Sequence, residues 1–216
     1  MPKSSKLPPQ RPLAYLITDR RAFRHSSEQI ELLARAAAAG CPLIQIREKD
    51  LSPEELRRFA AEAIRVARPH GARILINDDI EAARAVGADG VHLRSRSLSA
   101  AASLARDGDL LIGASTHSLD EVRAAAGADF LVCGPVYDTP SKRAYGPPLG
   151  LERFAALCRA AAIPVLALGG ITLENHAEAL ECGGAGIAGI GLFSHPETIE
   201  ATLRALLSPA AGQPGD

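Results

Sequence analysis

The sequence predicts an α/β fold, a (β/α)8 TIM barrel formed by a single domain. Eight short apolar runs alternate with stretches of helical periodicity, and the runs are apolar throughout, as buried parallel strands are. The series fills about 200 residues, the size of a compact barrel of this type. A doubly wound open sheet is the alternative, but it favours fewer strands, and no G-x-G-x-x-G pattern follows the first run.

The predicted strands are rich in Leu, Ile, Val and Ala, and each is four to six residues long. Runs of this length and composition are typical of strands in a parallel sheet. In chain order they are LAYLI (13–17), PLIQI (42–46), ARILI (72–76), GVHL (90–93), LLIGA (110–114), DFLVCG (129–134), IPVLAL (163–168) and GIAGIG (186–191).

Two of the intervening helices have recognisable starts. Ser52 precedes Pro53 and two glutamates, which combines an N-cap, proline at the first helical position and acids in the first turn. Ser118 is followed three residues later by Glu121, as in a capping box. The joins from helix to strand also repeat, with glycine ending the helix, in GADG (87–90), GADF (127–130) and GGAG (183–186).

Composition and charge limit the possible partners. The 216 residues are 47% apolar and carry a net charge of −1, so no basic field favours nucleic acid or an anionic membrane. The four cysteines include no C-x-x-C pair and indicate free thiols of a reducing compartment. We find no signal-peptide pattern and no apolar run near the ~20 residues of a membrane span. We therefore predict a soluble cytoplasmic protein with no nucleic-acid or membrane partner; a homo-oligomer is left open.

The termini differ from the rest of the chain in composition. We expect a flexible N-terminal arm over residues 1–12, the barrel domain over 13–207, and a flexible polar tail over 208–216.

Polar side chains gather where the predicted strands end, which is where such barrels place their chemistry. Arg47, Lys49 and Lys142 are cations suited to phosphate oxygens. Asp78 is a candidate Mg²⁺ ligand, because Mg²⁺ often uses one or two carboxylates together with substrate phosphates. His92 lies inside a strand and is expected to be a hydrogen-bonded structural residue. Neutral hydrogen-bonding groups at the strand ends are Asn77, Ser115, Thr139 and Ser141, and Gln45 and His117 are further polar residues there.

Glycines follow the last two strands, at Gly169-Gly170 and Ile190-Gly191. Barrels commonly bind a phosphate there through backbone N–H groups. Together with the cations, these segments predict a site for two anionic groups, one of them a diphosphate.

The chain resembles the thiamine phosphate synthase family, which includes a tautomerase branch called TenI. The resemblance extends from Tyr15 to Ser194 and is carried by QIREKD, INDD, GADGVHL, GASTHSLDE, GPVYDTPSK, GPPLGLE and ALGGI in this order. It implies a (β/α)8 transferase of thiamine biosynthesis. The synthase couples 4-amino-2-methyl-5-hydroxymethylpyrimidine diphosphate to a thiazole phosphate and releases diphosphate, with Mg²⁺ as its cofactor.

The resemblance also implies roles for individual residues. Asp78 matches a Mg²⁺ ligand, and His117 matches a histidine used by the tautomerase branch. The residues that match the pyrimidine-diphosphate site are Gln45, Arg47, Lys49, Asn77, Ser115 and Lys142. Those that match the thiazole-phosphate site are Thr139, Ser141, Gly170, Ile190 and Gly191.

The segment after the fourth strand departs from the family pattern. Synthases carry Gly-Gln-acid-Asp there, and the last Asp is a second Mg²⁺ ligand; here the segment is Arg94-Ser95-Arg96-Ser97. Ser97 is a poor substitute for a carboxylate, and the tautomerase branch also lacks this Asp.

Three functions therefore stay open at this point. We favour the synthase, because the chain retains a fuller diphosphate set than proton transfer requires. The alternatives are a metal-independent thiazole tautomerase, which aromatises the thiazole phosphate carboxylate, and a ligand-binding barrel without catalysis.

Overall fold

The computed structural model of the chain describes residues 6–140, 143 and 146–208. The eight predicted strands form a closed barrel in which each strand is parallel to the next, and the eighth returns to the first. At the closure Leu13 pairs with Gly186 and Leu16 with Gly189. The predicted (β/α)8 barrel is confirmed. The strands are β1 (Leu13–Ile17), β2 (Leu43–Ile46), β3 (Arg73–Asn77), β4 (Gly90–Leu93), β5 (Leu111–Thr116), β6 (Phe130–Cys133), β7 (Val165–Leu168) and β8 (Gly186–Gly189).

An α-helix follows each strand. Both predicted helix starts are confirmed: Ser52 and Glu55 form a capping box, and the Ser118 side chain accepts a hydrogen bond from the backbone N–H of Glu121. Among the described helices, none has the length and apolar character needed to cross a membrane. The helices are α1 (Ser26–Ala38), α2 (Pro53–Ala67), α3 (Ile80–Ala85), α4 (Ala101–Asp107), α5 (Leu119–Ala124), α6 (Gly150–Ala160), α7 (His176–Glu181) and α8 (Ile199–Leu207).

Several strand boundaries differ from the sequence prediction by one or two residues, and the largest differences at the C-terminal ends are those of β5 and β8. β5 continues to Thr116, since Ser115 and Thr116 pair with Val132 and Cys133 of β6. β8 stops at Gly189, because a 3-10 helix begins at Gly191. Both differences lie at the mouth of the barrel, the end where the C-terminal ends of the strands meet and polar side chains follow them.

The strands separate two apolar clusters, because alternate residues of a strand point to opposite faces. One cluster fills the space between strands and helices and includes Leu16, Ile44 and Ile76. The other fills the barrel interior and includes Tyr15 and Leu75. Residues two positions further along these strands continue on the interior side, and this alternation selects the side chains that reach the mouth.

The N-terminal segment contacts the bottom of the barrel. Leu7 is 6% exposed and belongs to the interior cluster, and Lys6 donates from Nζ to the carbonyl of Leu110, which precedes β5. The sequence prediction of a flexible arm over residues 1–12 did not anticipate this burial. Its physical reason is that Leu7 covers apolar side chains, such as Leu111, at the open lower end of the barrel.

Candidate active site

Three predicted site residues lie on the interior register of neighbouring strands. Gln45 follows Leu43 by two residues in β2, Asn77 follows Leu75 in β3, and Ser115 follows the interior Leu111 of β5 by four. Gln45 is 1% exposed, whereas Asn77 and Ser115 are half-buried. The barrel therefore brings these three groups to one opening, as the sequence predicts.

A buried chain of hydrogen bonds links two of these residues through the barrel interior. Gln45 donates from Nε2 to the Tyr15 hydroxyl over 3.1 Å. The Tyr15 hydroxyl lies 3.2 Å from Nδ1 of His92, and Nε2 of His92 lies 2.9 Å from the hydroxyl of Ser115. His92 is buried and hydrogen-bonded, as we expect from its place inside a strand.

The hydrogen bonds from Gln45 to Ser115 have a defined donor-to-acceptor direction. Burial, with a further contribution from the charge of Arg47, lowers the pKa of His92 to about 3, so the ring is neutral at pH 7. Because Tyr15 accepts from Gln45, its single hydrogen goes to Nδ1, and Nε2–H then donates to Ser115. The Ser115 hydroxyl keeps its own hydrogen for an anion at the mouth. Tyr15 is a positioning residue that the sequence reasoning missed; its only signal is a hydroxyl in an otherwise apolar strand.

The absence of a side chain at Gly113 leaves room for the rings of His92 and Phe130. A Cβ at this position would lie 2.5 Å from Cζ of Phe130 and 2.7 Å from Nδ1 of His92. Phe130 in turn packs edge-on against Tyr15, with ring centroids 5.3 Å apart. Any side chain at position 113 would therefore displace the imidazole.

Arg47 and Glu48 share the end of β2 but differ in role. The backbone N–H of Arg47 donates to Oγ1 of Thr18, and its half-buried side chain has a pKa lowered mainly by burial. Its guanidinium stays charged at pH 7, since an arginine pKa is above 12 in water. Glu48 is 6% exposed and accepts from the backbone N–H of Arg20 at 2.8 Å and from Nε2 of Gln29 at 2.9 Å. Glu48 thus anchors the loop after β1 and helix α1, an arrangement the sequence reasoning missed.

Asp78 has partners other than a metal. Arg94 donates from Nε to Oδ2 at 2.5 Å and from its backbone N–H to Oδ1 at 3.2 Å, and Ser97 also hydrogen-bonds the carboxylate. The side chain of Asp78 is 7% exposed. Burial raises its pKa, but the hydrogen bonds from Ser97 and Arg94 outweigh this effect, and the pKa lies below its ordinary value.

These residues do not fit a Mg²⁺ ion held by two protein carboxylates. Position 97 is a serine, and the carboxylate of Asp78 is already paired with the guanidinium of Arg94. In the described ranges no group of three or more His, Cys, Asp or Glu side chains comes together. Asp78, which we predict from the sequence as a metal ligand, is paired here with Arg94, and its metal-binding role stays a prediction.

His117 is exposed and lies two residues beyond Ser115. Its Nδ1 lies 2.5 Å from the carbonyl of Gly134, which can only accept, so Nδ1 carries the hydrogen. Its backbone N–H donates to Glu121. The ring is therefore fixed by the start of the loop after β6.

The glycines after β7 hold the loop after β6 in place. A Cβ on Gly170, whose φ is +67°, would lie 2.6 Å from the carbonyl oxygen of Asp138. Asn175 donates to the carbonyl of Gly170, and Tyr137 donates from its backbone to Gly169. Gly170 is therefore confined by protein, and its predicted phosphate role stays a prediction.

The remaining predicted residues lie in different surroundings. A Cβ on Gly191 would meet no atom within 4 Å, so the described protein leaves open space there. Gly191 is exposed, as is Lys49, while Ile190 and Thr139 are half-buried. Ser141 and Lys142 lie outside the described residues.

Comparisons with known proteins agree with this architecture. A sequence profile of the thiamine monophosphate synthase family matches residues 14–193. The chain is 45% identical over 204 residues to a putative thiamine-phosphate synthase of Geobacter sulfurreducens, covering 90% of this chain and 94% of that protein. It is 35% identical over 201 residues to the thiamine-phosphate synthase of Chlorobium phaeobacteroides, covering 92% and 96% of the two chains.

A solved structure gives the same result. The fold is similar to that of thiamine phosphate pyrophosphorylase from Pyrococcus furiosus, with a TM-score of 0.78 and 31% sequence identity, covering 91% of this chain and 95% of that one. The expected resemblance is confirmed over nearly the whole barrel. The chain belongs to the thiamine monophosphate synthase family.

Proposed function

We propose that this protein is a thiamine-phosphate synthase, a transferase that joins the pyrimidine diphosphate to the thiazole phosphate and releases diphosphate. The observation that carries the proposal is the similarity to thiamine-phosphate synthases over nine tenths of the chain. The geometry supports it, because Gln45, Asn77 and Ser115 meet at one mouth beside Arg47. The comparisons favour this activity over the thiazole tautomerase.

The protein's part in this reaction is electrostatic and positional. The bond between the pyrimidine methylene carbon and the diphosphate breaks, both electrons leave with the diphosphate, and the thiazole nitrogen forms the new bond to that carbon. Arg47 and Lys142 stabilise the charge that develops on the diphosphate, and Ser115 donates to one of its oxygens. Asn77 and Lys49 complete the proposed diphosphate contacts.

The thiazole phosphate is proposed to bind where β8 ends. Gly191 lies beside open space and, with Ile190, would offer backbone N–H groups to the phosphate. Gly170, Thr139 and Ser141 are proposed to complete this site. We place the reaction in the cytoplasm, since the four cysteines are free thiols, which are typical of a reducing compartment. A homo-oligomer remains compatible with this function. No step of the proposed mechanism depends on a protein-bound Mg²⁺.

The function is tested by mixing the purified protein with both substrates and measuring thiamine phosphate and diphosphate together. We expect the two products in equal amounts, with no diphosphate released when the thiazole phosphate is omitted. A matched reaction with the thiazole tautomer alone measures isomerisation. Isomerisation without coupling, with and without added Mg²⁺, would replace the synthase by the tautomerase.

Gly191→Val separates the two substrate sites. The Cβ of the new side chain would meet no atom within 4 Å in the described structure, so we expect the melting temperature to stay unchanged. It would occupy the space proposed for the thiazole phosphate and displace that phosphate from its backbone donors. We expect the KM for the thiazole phosphate to rise by about tenfold or more, the equivalent of one hydrogen bond to a charged group. The KM for the pyrimidine diphosphate is the internal control, and an equal rise in both constants would show that the phosphate site is placed wrongly.

A further inference from the structure

Arg94 lies directly after β4, and a buried carboxylate holds its guanidinium. Its Nε and one Nη both contact Oδ2 of Asp78 at 2.5 Å. Two of its five N–H groups are sufficient for these contacts. The side chain is 40% exposed, whereas that of Asp78 is 7% exposed. The guanidinium is thus fixed on one edge by Asp78 and open to the mouth of the barrel on another.

The backbone of Asp78 is shaped for this contact. Its φ is +53°, in the left-handed region that residues other than glycine rarely adopt. This conformation breaks the alternation of β3 after Asn77, and the carboxylate accepts from both the backbone and the side chain of Arg94. Aspartate is among the few residues other than glycine that adopt this conformation, and here its carboxylate holds both the backbone and the guanidinium of Arg94 at the mouth.

Positive charge around this pair exceeds negative charge. Arg96 lies 3.9 Å from the same Asp78 oxygen, and the charge of Arg94 also acts on Arg47. Asp19 and Glu48 offset part of the charge on Arg47, but Asp19 is itself paired with Arg21. Two guanidinium groups, those of Arg94 and Arg96, share one buried carboxylate, and an anion placed between Arg94 and Arg47 would relieve the repulsion between these two cations.

Position 97 lacks the second carboxylate that a protein-bound Mg²⁺ ion would need. Ser97 hydrogen-bonds Asp78, and it stands where the family resemblance places a second Mg²⁺-binding carboxylate. Asp78 and position 97 thus contact each other and Arg94 directly. The site contains a fixed monovalent cation where relatives with two carboxylates would hold a divalent one.

We propose that Arg94 is a catalytic residue that contacts the departing diphosphate and replaces the protein-bound metal ion. The inference rests on the proposed synthase function. As the carbon–oxygen bond breaks, the electron pair moves to the diphosphate oxygen, and Arg94 and Arg47 stabilise that charge. The thiazole nitrogen supplies the electron pair of the new bond, so no proton donor, oxidant or reductant is required.

The unmodified protein provides the first test. Coupling is measured after removal of metal ions with EDTA and again with added Mg²⁺. We expect the two rates to agree within about threefold, since the fixed cation needs no loading. Titration of the substrate-free protein with Mn²⁺, followed by electron paramagnetic resonance, should reveal no site at Asp78, and this readout is independent of activity.

Variants at position 94 give the second test. Arg94→Gln retains a side-chain donor for Asp78 but removes the charge, and in EDTA it should lower kcat/KM by about 10²-fold. Arg58→Ala is the matched control, because it removes an arginine of α2 whose side chain is 70% exposed and which has no part in the site; it should change the rate by less than about threefold. The double variant Arg94→Gln, Ser97→Asp should bind Mn²⁺ and recover coupling only when Mg²⁺ is added.

The outcomes separate the inference from the function on which it rests. Coupling that occurs with Mg²⁺ and disappears in EDTA would overturn the role of Arg94 and leave the synthase standing. A native rate for Arg94→Gln in EDTA would have the same meaning. Absence of coupling in every condition would remove the synthase and this inference together.

Discussion

Arg47→Ala should lower kcat/KM for coupling by about 10²-fold or more, since it removes a positive charge from the place where the diphosphate leaves. Folding should be preserved, because the hydrogen bond that ties this residue to Thr18 comes from its backbone N–H and survives the substitution. Steady-state kinetics measures the loss, and the melting temperature measures the stability.

Two further variants sharpen this test. Lys142→Ala is expected to give a loss of the same size, from the loop after β6. Arg58→Ala removes an exposed arginine of α2, whose nearest carboxylate in Glu54 lies 3.9 Å away, and should leave kcat/KM unchanged. Near-native rates in both Arg47→Ala and Lys142→Ala would mean that the diphosphate lies elsewhere.

The second large effect is expected from His92→Leu, which interrupts the buried chain from Gln45 to Ser115. At pH 7 the hydroxyl of Tyr15 loses its buried acceptor and Ser115 loses its donor. The cost of such unpaired groups is about 1–3 kcal/mol each, so the free energy of unfolding should fall by roughly 2–6 kcal/mol. Denaturant unfolding at pH 7 measures this change. The kcat should fall as well, because Ser115 is no longer oriented.

The same variant should change how stability depends on pH. Unfolded histidine takes up a proton near pH 6.5, whereas folded His92 does so only near pH 3. The unfolded state therefore binds more protons between these values, and the contribution of His92 is full above pH 6.5 and is lost as the pH falls toward 3. By pH 4 the wild type should have lost about 3 kcal/mol through this group, and the gap to His92→Leu should narrow by that amount.

The matched control is His70→Ala, which removes an exposed imidazole that has no part in the buried chain. At pH 7 this variant should change the free energy of unfolding by less than about 0.5 kcal/mol. A gap between wild type and His92→Leu that stayed constant from pH 7 to pH 4 would show that the imidazole is not held neutral by burial.

The barrel could be predicted from the sequence because local patterns determine it. Each strand is an uninterrupted apolar run, and the capping residues Ser52 and Ser118 act within their own first helical turn. The mouth could also be predicted, since the carboxyl ends of parallel strands must lie together. Gln45, Asn77 and Ser115 follow directly from that rule.

The contacts within the mouth could not be predicted in the same way. The pairing of Asp78 with Arg94 depends on a left-handed backbone at Asp78 and on the register between β3 and β4. The hydrogen bond between Tyr15 and His92 joins residues that are 77 positions apart in the sequence. One usable signal existed, because Arg94 lies two residues after His92 and so continues on the interior side of its strand.

The contact of Lys6 and Leu7 with the lower end of the barrel has a practical consequence. The chain enters the described structure on the face opposite the proposed substrate site, because Lys6 reaches the residue that precedes β5 and the site lies where the strands end. An affinity tag or a surface linker fused ahead of this segment would be attached at the face remote from the substrates. Immobilisation through the amino end should therefore leave the catalytic opening directed toward solution.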